Sequence, residues 1–384
     1  MRMILIGNYP PDKLESMERF AQLLHAEFYK VGIQVDIWRP TVFFGHLANW
    51  TIYGLGKWLG YIDKFLIFPM VLVIRLREAN FRGSNVRFHV CDQGNAPYLK
   101  FLPVHRTGIT CHDVLAIRGA LGFSDAYTPA TATGKIFQQW IFYHLSKSSC
   151  LASVTENTLK QLVALTSNKS SAIEQWRVVH NALNNDFKPL HNSKYEELLI
   201  KAGLVPDIPF ILHVGSNDIR KNRKLLIDMV DCLRDQWTGL ICFAGEAADK
   251  SLIGYAESLG LKNRIISIVK PNHETLVSLY NACFAFIFPS FSEGFGWPLI
   301  EAQACGAAVI TSNIEPLPEV GGAGALYADP YKPEEFAKAF VLIKSKKIRF
   351  KLIERGFRNS KRFDAGKMAY SYLELHGIRP LVSA

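Results

Sequence analysis

The segment from Phe284 to Ile310 constrains this chain more than any other. Phe284-Ala285-Phe286-Ile287-Phe288 is a short apolar run of buried-strand type. Pro289, Ser290, Ser292, Gly294 and Gly296 then make a loop, and Pro298 suits the first turn of a helix. A second apolar run, Ala307-Ala308-Val309-Ile310, follows. Strand, glycine-bearing loop, helix and strand in this order form one crossover unit of a parallel sheet. The loop falls at the carboxyl end of a strand, where open α/β sheets place ligands. Amides at a helix start favour phosphate oxygens. Glu293 and Glu301, eight positions apart, would repel phosphate, so hydroxyl groups are their expected partners. A ligand carrying both phosphate and many hydroxyls is a sugar nucleotide.

Read as E-G-F-G-x-P-x-x-E followed by A-x-A-C-G-x-A-V-I, the same residues resemble the signature of the GT-B glycosyltransferases of family 4. That group is retaining and independent of metal ions. The resemblance implies an α/β fold of two doubly wound, Rossmann-like domains facing a cleft. It further implies that Glu301 holds ribose hydroxyls and Glu293 the sugar hydroxyls. Amides around Gly294, Phe295 and Gly296 would add contacts to sugar and phosphate. The plainer reading, two solvated helix-cap acids, does not use the loop glycines or the flanking strands.

A chain of 384 residues exceeds a comfortable single core, so two domains are expected. A hydrophobic content of 49% with 20% charged residues describes a globular protein rather than a disordered one. The net charge of +10 is uneven: residues 1–190 hold 20 Lys+Arg against 13 Asp+Glu. A basic first half suits an anionic partner such as a membrane surface or a phosphorylated lipid. Nucleic acid is not expected, because no basic recognition helix or zinc-finger spacing occurs. Seven scattered cysteines, an odd number without a C-x-x-C pair, predict buried free thiols in a reducing compartment. Met1-Arg2-Met3 leads straight into a strand-like run, so no secretory leader is expected and the location is expected to be cytoplasmic. Asn49-Trp50-Thr51 matches a glycosylation sequon that a cytoplasmic chain would not use.

Residues 41–82 combine aromatic and basic side chains. Phe43, Phe44, Trp50, Tyr53, Trp58, Tyr61, Phe65 and Phe68 are interleaved with or followed by Lys57, Lys64, Arg75, Arg77 and Arg82. Either a helix lying in a membrane interface or a pair of core-facing helices fits that pattern. The uncharged run Phe65–Ile74 is too short to span a bilayer.

Strand patterns alternate with helical ones along the chain, which predicts parallel sheets. Strands are expected at 3–6, 31–38, 86–91, 108–111, 151–154 and 177–180. After a polar, proline-bearing stretch at 181–189, strands are expected at 209–214, 240–244, 265–269, 285–288 and 308–311. The glycines of Val320-Gly321-Gly322-Ala323-Gly324 look like a turn, and the last helical patterns are 334–343 and 368–375. The domains expected are 1–185, facing the acceptor, and 186–362, binding the nucleotide-sugar. Residues 363–384 would form a C-terminal helix that, by the resemblance, crosses back to the first domain.

The run from His213 to Asn222 begins at a strand and enters a helix, with Arg220 and Lys221 beside the helix's positive end, a site for a diphosphate. It resembles the family's V-G-x-x-x-x-R-K-N, although Ser216 stands where some relatives have another arginine. Thr110-Cys111-His112-Asp113 ends a first-domain strand and resembles the family's H-D, whose histidine approaches the donor sugar; Asp113 would orient it. Tyr280, in L-V-S-L-Y-N-A, belongs to a further family echo. The first loop, Asn8 to Met17, lacks the paired glycines of many relatives, and Ser16 is a candidate substitute donor. No G-x-G-x-x-G follows the first strand, and Gly134-Lys135 lacks the P-loop's Ser/Thr. No Asp-x-Asp occurs, so no metal clamp and no cofactor are expected. The predicted activity is transfer of a sugar from a nucleotide-sugar donor to a glycan or lipid-linked saccharide. A phosphorylase or epimerase of the same fold, and a non-catalytic GT-B scaffold, are the alternatives.

Overall fold

The computed structural model describes residues 1–48, 51, 54–166, 171–205 and 207–378. It divides into two units: Met1–Asn184 with the chain from Ala365 onward, and Asn185–Asp364. In the first, strands β1 (Arg2–Ile6), β2 (Gln34–Trp38), β3 (Val86–Val90), β4 (Thr107–Cys111), β5 (Leu151–Ser153) and β6 (Arg177–Val178) make a sheet in the order β2-β1-β3-β4-β5-β6. The second holds β7 (Phe210–Gly215), β8 (Leu240–Gly245), β9 (Ile265–Val269), β10 (Ala285–Phe288), β11 (Val309–Ser312) and β12 (Ala325–Ala328), ordered β12-β11-β10-β7-β8-β9. All the pairings are parallel. Helices cover both faces, so Ile4, Leu5, Phe286 and Ile287 are equally inaccessible although neighbours in a strand point to opposite sides.

Each sheet reverses its strand order once, between β1 and β3 in the first and between β7 and β10 in the second. At such a point the loops leaving two adjacent strands diverge, opening a crevice at their carboxyl ends.

Among the elements the sequence did not signal are β12 and a helix near the end of the second unit. β12 is only Ala-Leu-Tyr-Ala after a glycine run, too short to signal itself. The helix Lys346–Ser360 buries only Leu352, Gly356, Asn359 and Ser360, and its many charges dilute the apolar period. It docks through glycine: a Cβ on Gly324 would lie 2.6 Å from Gly356 Cα. The predicted 177–180 strand pairs over Arg177–Val178 alone. The glycines at 321–324 close the short helix Leu317–Gly321 and form a 3-10 turn. Of the cysteines, Cys232 is exposed and Cys150 half-buried, against the expectation of buried thiols throughout.

Residues 54–76 form one helical run, Gly54–Ile62, a π turn Asp63–Ile67 and Phe68–Leu76. Phe68 and Leu72 enter the core, whereas Leu55, Trp58, Leu66, Met70 and Ile74 are each more than half exposed. The π turn buries Asp63, whose carboxylate accepts from the amides of Phe43, Phe44 and Gly45 and from Tyr9 Oη. Lys64 is not an interfacial cation as expected; it is buried and paired with Asp12 at 2.7 Å. Asn49, Trp50 and Tyr53 lie outside the described residues. No described helix is long and apolar enough to cross a membrane.

The helix Ala365–Leu375 belongs to the first unit, with Met368, Tyr372 and Leu373 in one core with Met3, Leu5, Phe20 and Leu24. A buried polar chain ties it to the sheet. His89 Nδ1 and His376 Nε2 are 3.0 Å apart, His89 Nε2 meets Thr110 Oγ1 at 2.8 Å, and Thr110 Oγ1 meets Tyr372 Oη at 2.9 Å. Burial, with Arg87 nearby, pushes His376 down to about 3, and burial with His376 alongside lowers His89 as well. Unfolded histidines protonate near 6.5, whereas these stay neutral in the fold. Their stabilisation is therefore complete above that value and is lost as pH falls toward 3. The unfolding midpoint should decline from pH 7.5 to pH 5, and His376→Gln should flatten that slope. A variant with the wild-type slope would exclude this pair as the cause.

Candidate functional site

The switch point of the second sheet is where the chemistry-bearing side chains of that unit meet. After β7 the chain makes a 3-10 turn, Ile219–Lys221, and only at Lys224 does the next helix begin. Arg220 and Lys221 therefore ride on the turn that leads into that helix. Both grip Glu293, from the loop after β10: Arg220 Nη1 donates to Oε2 at 2.9 Å and Lys221 Nζ to Oε1 at 2.7 Å. The Glu293 side chain is only 8% exposed and that of Lys221 10%. Burial raises the Glu293 carboxyl, but Lys221 and then Arg220 more than offset it and hold the group at about 2. Burial lowers Lys221, an effect opposed by Glu293.

The backbone fixes this geometry. Phe291 N–H donates to Arg220 O at 2.8 Å. Asn222, in a left-handed conformation with φ 50°, donates from Nδ2 to Pro289 O and Pro330 O. His213, near the end of β7, donates from Nδ1 to Ile287 O and stacks on Phe288. Burial pushes His213 down to about 3, so a neutral ring lies beneath the charged cluster. The sequence had shown Asn222 and His213 only as parts of a motif, without a role.

The same loop leads through Gly294 and Phe295 to Gly296, the N-cap of the helix Trp297–Ala304. Gly296 has φ 98°, and a Cβ there would lie 2.9 Å from Leu317 Cδ2, so both backbone and space call for glycine. Phe295 is buried and packs edge-on against Phe363. One turn into the helix, buried Glu301 accepts from Tyr280 Oη at 2.9 Å. The loop thus brings together Arg220, Lys221 and Glu293, with the Gly294–Gly296 amides and Glu301 on the chain that follows.

In the first unit, His112 follows β4. Its Nε2 lies 2.9 Å from Cys91 O, and its amide donates to Gln93 Oε1. A carbonyl can only accept, so Nε2 carries the proton and Nδ1 the lone pair. Phe20 meets the ring edge-on at 4.7 Å. Burial lowers His112 while Asp92 opposes it. Asp113 Oδ1 accepts from Leu115 N–H at the start of the next helix. The first loop lines a cavity of about 440 Å³ with Asn8, Tyr9, Lys13, Arg19 and Arg39, and Asn8 Nδ2 donates to Asp92 Oδ2 across that sheet's switch point. Ser16 is exposed in the first turn of the helix Glu15–Lys30.

Removing Glu293 leaves Lys221 buried beside Arg220 without the carboxylate that the two cations share. Glu293→Ala should cost about 3 kcal/mol in urea unfolding. Pyrophosphate should restore more stability to this variant than it adds to the wild type, because an anion then fills the vacated position. Equal stabilisation of the two proteins would show that the cations are not accessible to a phosphate ligand.

Residues 195–358 match the model of the family described as glycosyl transferases group 1. Among known proteins, the chain is similar to the serotype-specific mannosyltransferase WbdA of Escherichia coli, 26% identical over 231 residues. That match covers 56% of this chain and 26% of WbdA, so the chain spans about a quarter of that relative's length. Among solved structures, sucrose-phosphate synthase from Thermosynechococcus elongatus aligns with a TM-score of 0.75 at 16% identity, covering 98% of each chain. HepE from Anabaena, solved in complex with UDP and glucose, aligns with a TM-score of 0.71 at 15% identity over 97% of this chain and 98% of its own. The chain has the two-unit α/β fold of the GT-B glycosyltransferases, and the match to the glycosyl transferases group 1 falls within its Asn185–Asp364 unit.

Proposed function

We propose that this protein is a glycosyltransferase that moves a hexose from a nucleotide-sugar donor to a hydroxyl of a glycan or lipid-linked saccharide. The observation that carries the reading is the buried Arg220–Glu293–Lys221 cluster at a switch point, with a glycine-amide loop running into Glu301. Two cations share the one buried carboxylate, and the exposed Asp218 lies 3.7 Å from Arg220, so both cations are gathered where a diphosphate would sit. In that reading Glu293 holds the cations in place without ligand and turns to the sugar hydroxyls when the donor arrives. Arg220 and Lys221 then neutralise the charge that develops on the departing nucleoside diphosphate. Amides of Gly294, Phe295 and Gly296 meet sugar and phosphate oxygens, and Glu301 accepts from ribose hydroxyls. Two side-chain cations supply what a metal ion supplies elsewhere, so transfer is expected to continue in chelator.

His112 is neutral at pH 7 in this reading, and its Nδ1 lone pair accepts a hydroxyl proton of donor or acceptor. Retention at the anomeric carbon, with attack from the face the leaving group vacates, is part of the proposal. So is peripheral contact with an intracellular membrane face through residues 41–82, where the exposed side chains of Leu55, Trp58, Leu66, Met70 and Ile74 are gathered. The mannosyltransferase relative makes mannose the first donor sugar to test, and the UDP and glucose bound to a structural neighbour make glucose the second.

The test is a thermal-shift panel of UDP, GDP and ADP on wild type and Glu301→Ala, followed by product analysis. One nucleotide should stabilise the wild type by about 2.7 kcal/mol at a hundred times its dissociation constant. The variant should lose most of that shift. A new glycoside should form only with acceptor present; His112→Ala should lower its rate by about 100-fold with the nucleotide shift intact. Donor turnover without acceptor would favour an epimerase, and a free sugar phosphate a phosphorylase. No nucleotide shift and no product would leave the scaffold reading.

A further inference from the structure

One cavity of the first unit lies apart from every residue placed in the donor chemistry. It holds about 500 Å³, and Leu99, Lys100, Val104, Trp140, Tyr143 and Lys147 wall it. Thr107, at its edge, opens β4, whereas His112 follows that strand's other end. Five residues of strand separate the two by roughly 16 Å. The cavity is thus at the opposite end of the sheet from the ligand-binding edge.

Its walls come from two stretches that contain no carboxylate. No Asp or Glu occurs between Asp92 and Asp113, or between Asp125 and Glu156. Lys147 Nζ donates to Tyr143 Oη at 2.6 Å and lies 3.9 Å from that ring's centre. Lys100 contacts the Phe101 ring, and neither lysine has an acidic partner among the described residues. Burial, then the charges of Lys100 and Lys147, hold His144 below its ordinary value, so both positive charges are felt at one place. Positive charge without a counter-ion, set in a cavity, is complementary to an anion.

The apolar part of the lining joins the exposed helical face. Trp140 lies 5.1 Å from Phe65, and Phe137 stacks on Tyr61 at 5.1 Å. These rings link the helix Ala132–Leu145 to the run 54–76, whose Leu66, Met70 and Ile74 are exposed. An anion that uses both surfaces must carry an apolar tail.

We propose that this cavity binds the phosphate of an anionic lipid headgroup, with Lys100 and Lys147 on the phosphate oxygens and the tail along Trp140. The assignment rests on the membrane-contact reading of the 54–76 face and is independent of the transfer chemistry. The two lysines are exposed, so Lys100→Gln with Lys147→Gln should fold normally.

Two measurements test it: a thermal-shift titration with dihexanoyl phosphatidic acid against inorganic phosphate, and flotation with phosphatidylcholine vesicles with or without phosphatidylglycerol. Wild type should bind the short-chain lipid and the anionic vesicles. The double variant should bind both about 30-fold more weakly, at roughly 1 kcal/mol for each of the two lysines. Its nucleotide shift should match the wild type, which separates this result from the fate of the transferase reading. Equal lipid binding by the variant would overturn the proposal, as would inorganic phosphate matching the short-chain lipid. Lysine-dependent binding of the soluble lipid without flotation would sustain the cavity and overturn the membrane contact alone.

Discussion

A carboxylate withdrawn from water is costly unless charge and hydrogen bonds compensate it, and Glu293 is withdrawn almost completely. Arg220 and Lys221 supply two charge-assisted bonds, so three ionised side chains share one small volume. This requirement organises the second unit's ligand edge. The loop after β7 must lie against the loop after β10, which only adjacent strands with divergent crossovers permit. Asn222, bonded to Pro289 O and Pro330 O, and the Phe291 amide on Arg220 O are the backbone stitches that hold it. These bonds hold the two cations side by side at the ligand edge, the arrangement that the proposed diphosphate site calls for.

The first unit handles buried polarity differently. His89, His376, Thr110 and Tyr372 form a hydrogen-bonded chain without a formal charge, and it ties the returning helix to the sheet. The Lys64–Asp12 pair and Asp63 are exceptions; burial raises the Asp63 pKa, but the amides of residues 43–45 and Tyr9 lower it overall. Asp63 anchors the chain leading into the 54–76 helical run.

The parallel sheets were legible in the sequence because both faces of each strand are covered, so the strands read as apolar runs between turn signals. The carboxyl-end loop with Glu293 and Gly296 was legible for the same reason: only a strand–glycine–helix junction needs that composition. The mutual pairing of Arg220, Lys221 and Glu293 was not, since sequence separation of more than 70 residues hides a contact. Residue types alone had assigned the carboxylate to hydroxyls and the cations to phosphate, whereas in the structure they bind each other. Tyr280 was visible as part of a helix echo, but its bond to Glu301 depends on the packing of two helices. Lys64 misled in the opposite direction: a lysine among aromatics reads as interfacial until Asp12, 52 residues away, is placed beside it.

The surplus of positive charge in the first half of the chain has a physical location. Several of its cations are spent internally, Lys64 on Asp12, Arg2 on Asp36 and Arg39 on Glu18. Lys100 and Lys147 are not, because their neighbours in sequence carry no acid and their neighbours in space are rings. A ring face stabilises an ammonium group without neutralising it, so the field persists into solvent. Net charge alone would have spread that field over the unit. The acid-free stretches at 93–112 and 126–155 concentrate it at one cavity, beside a helical face that leaves large apolar side chains in water.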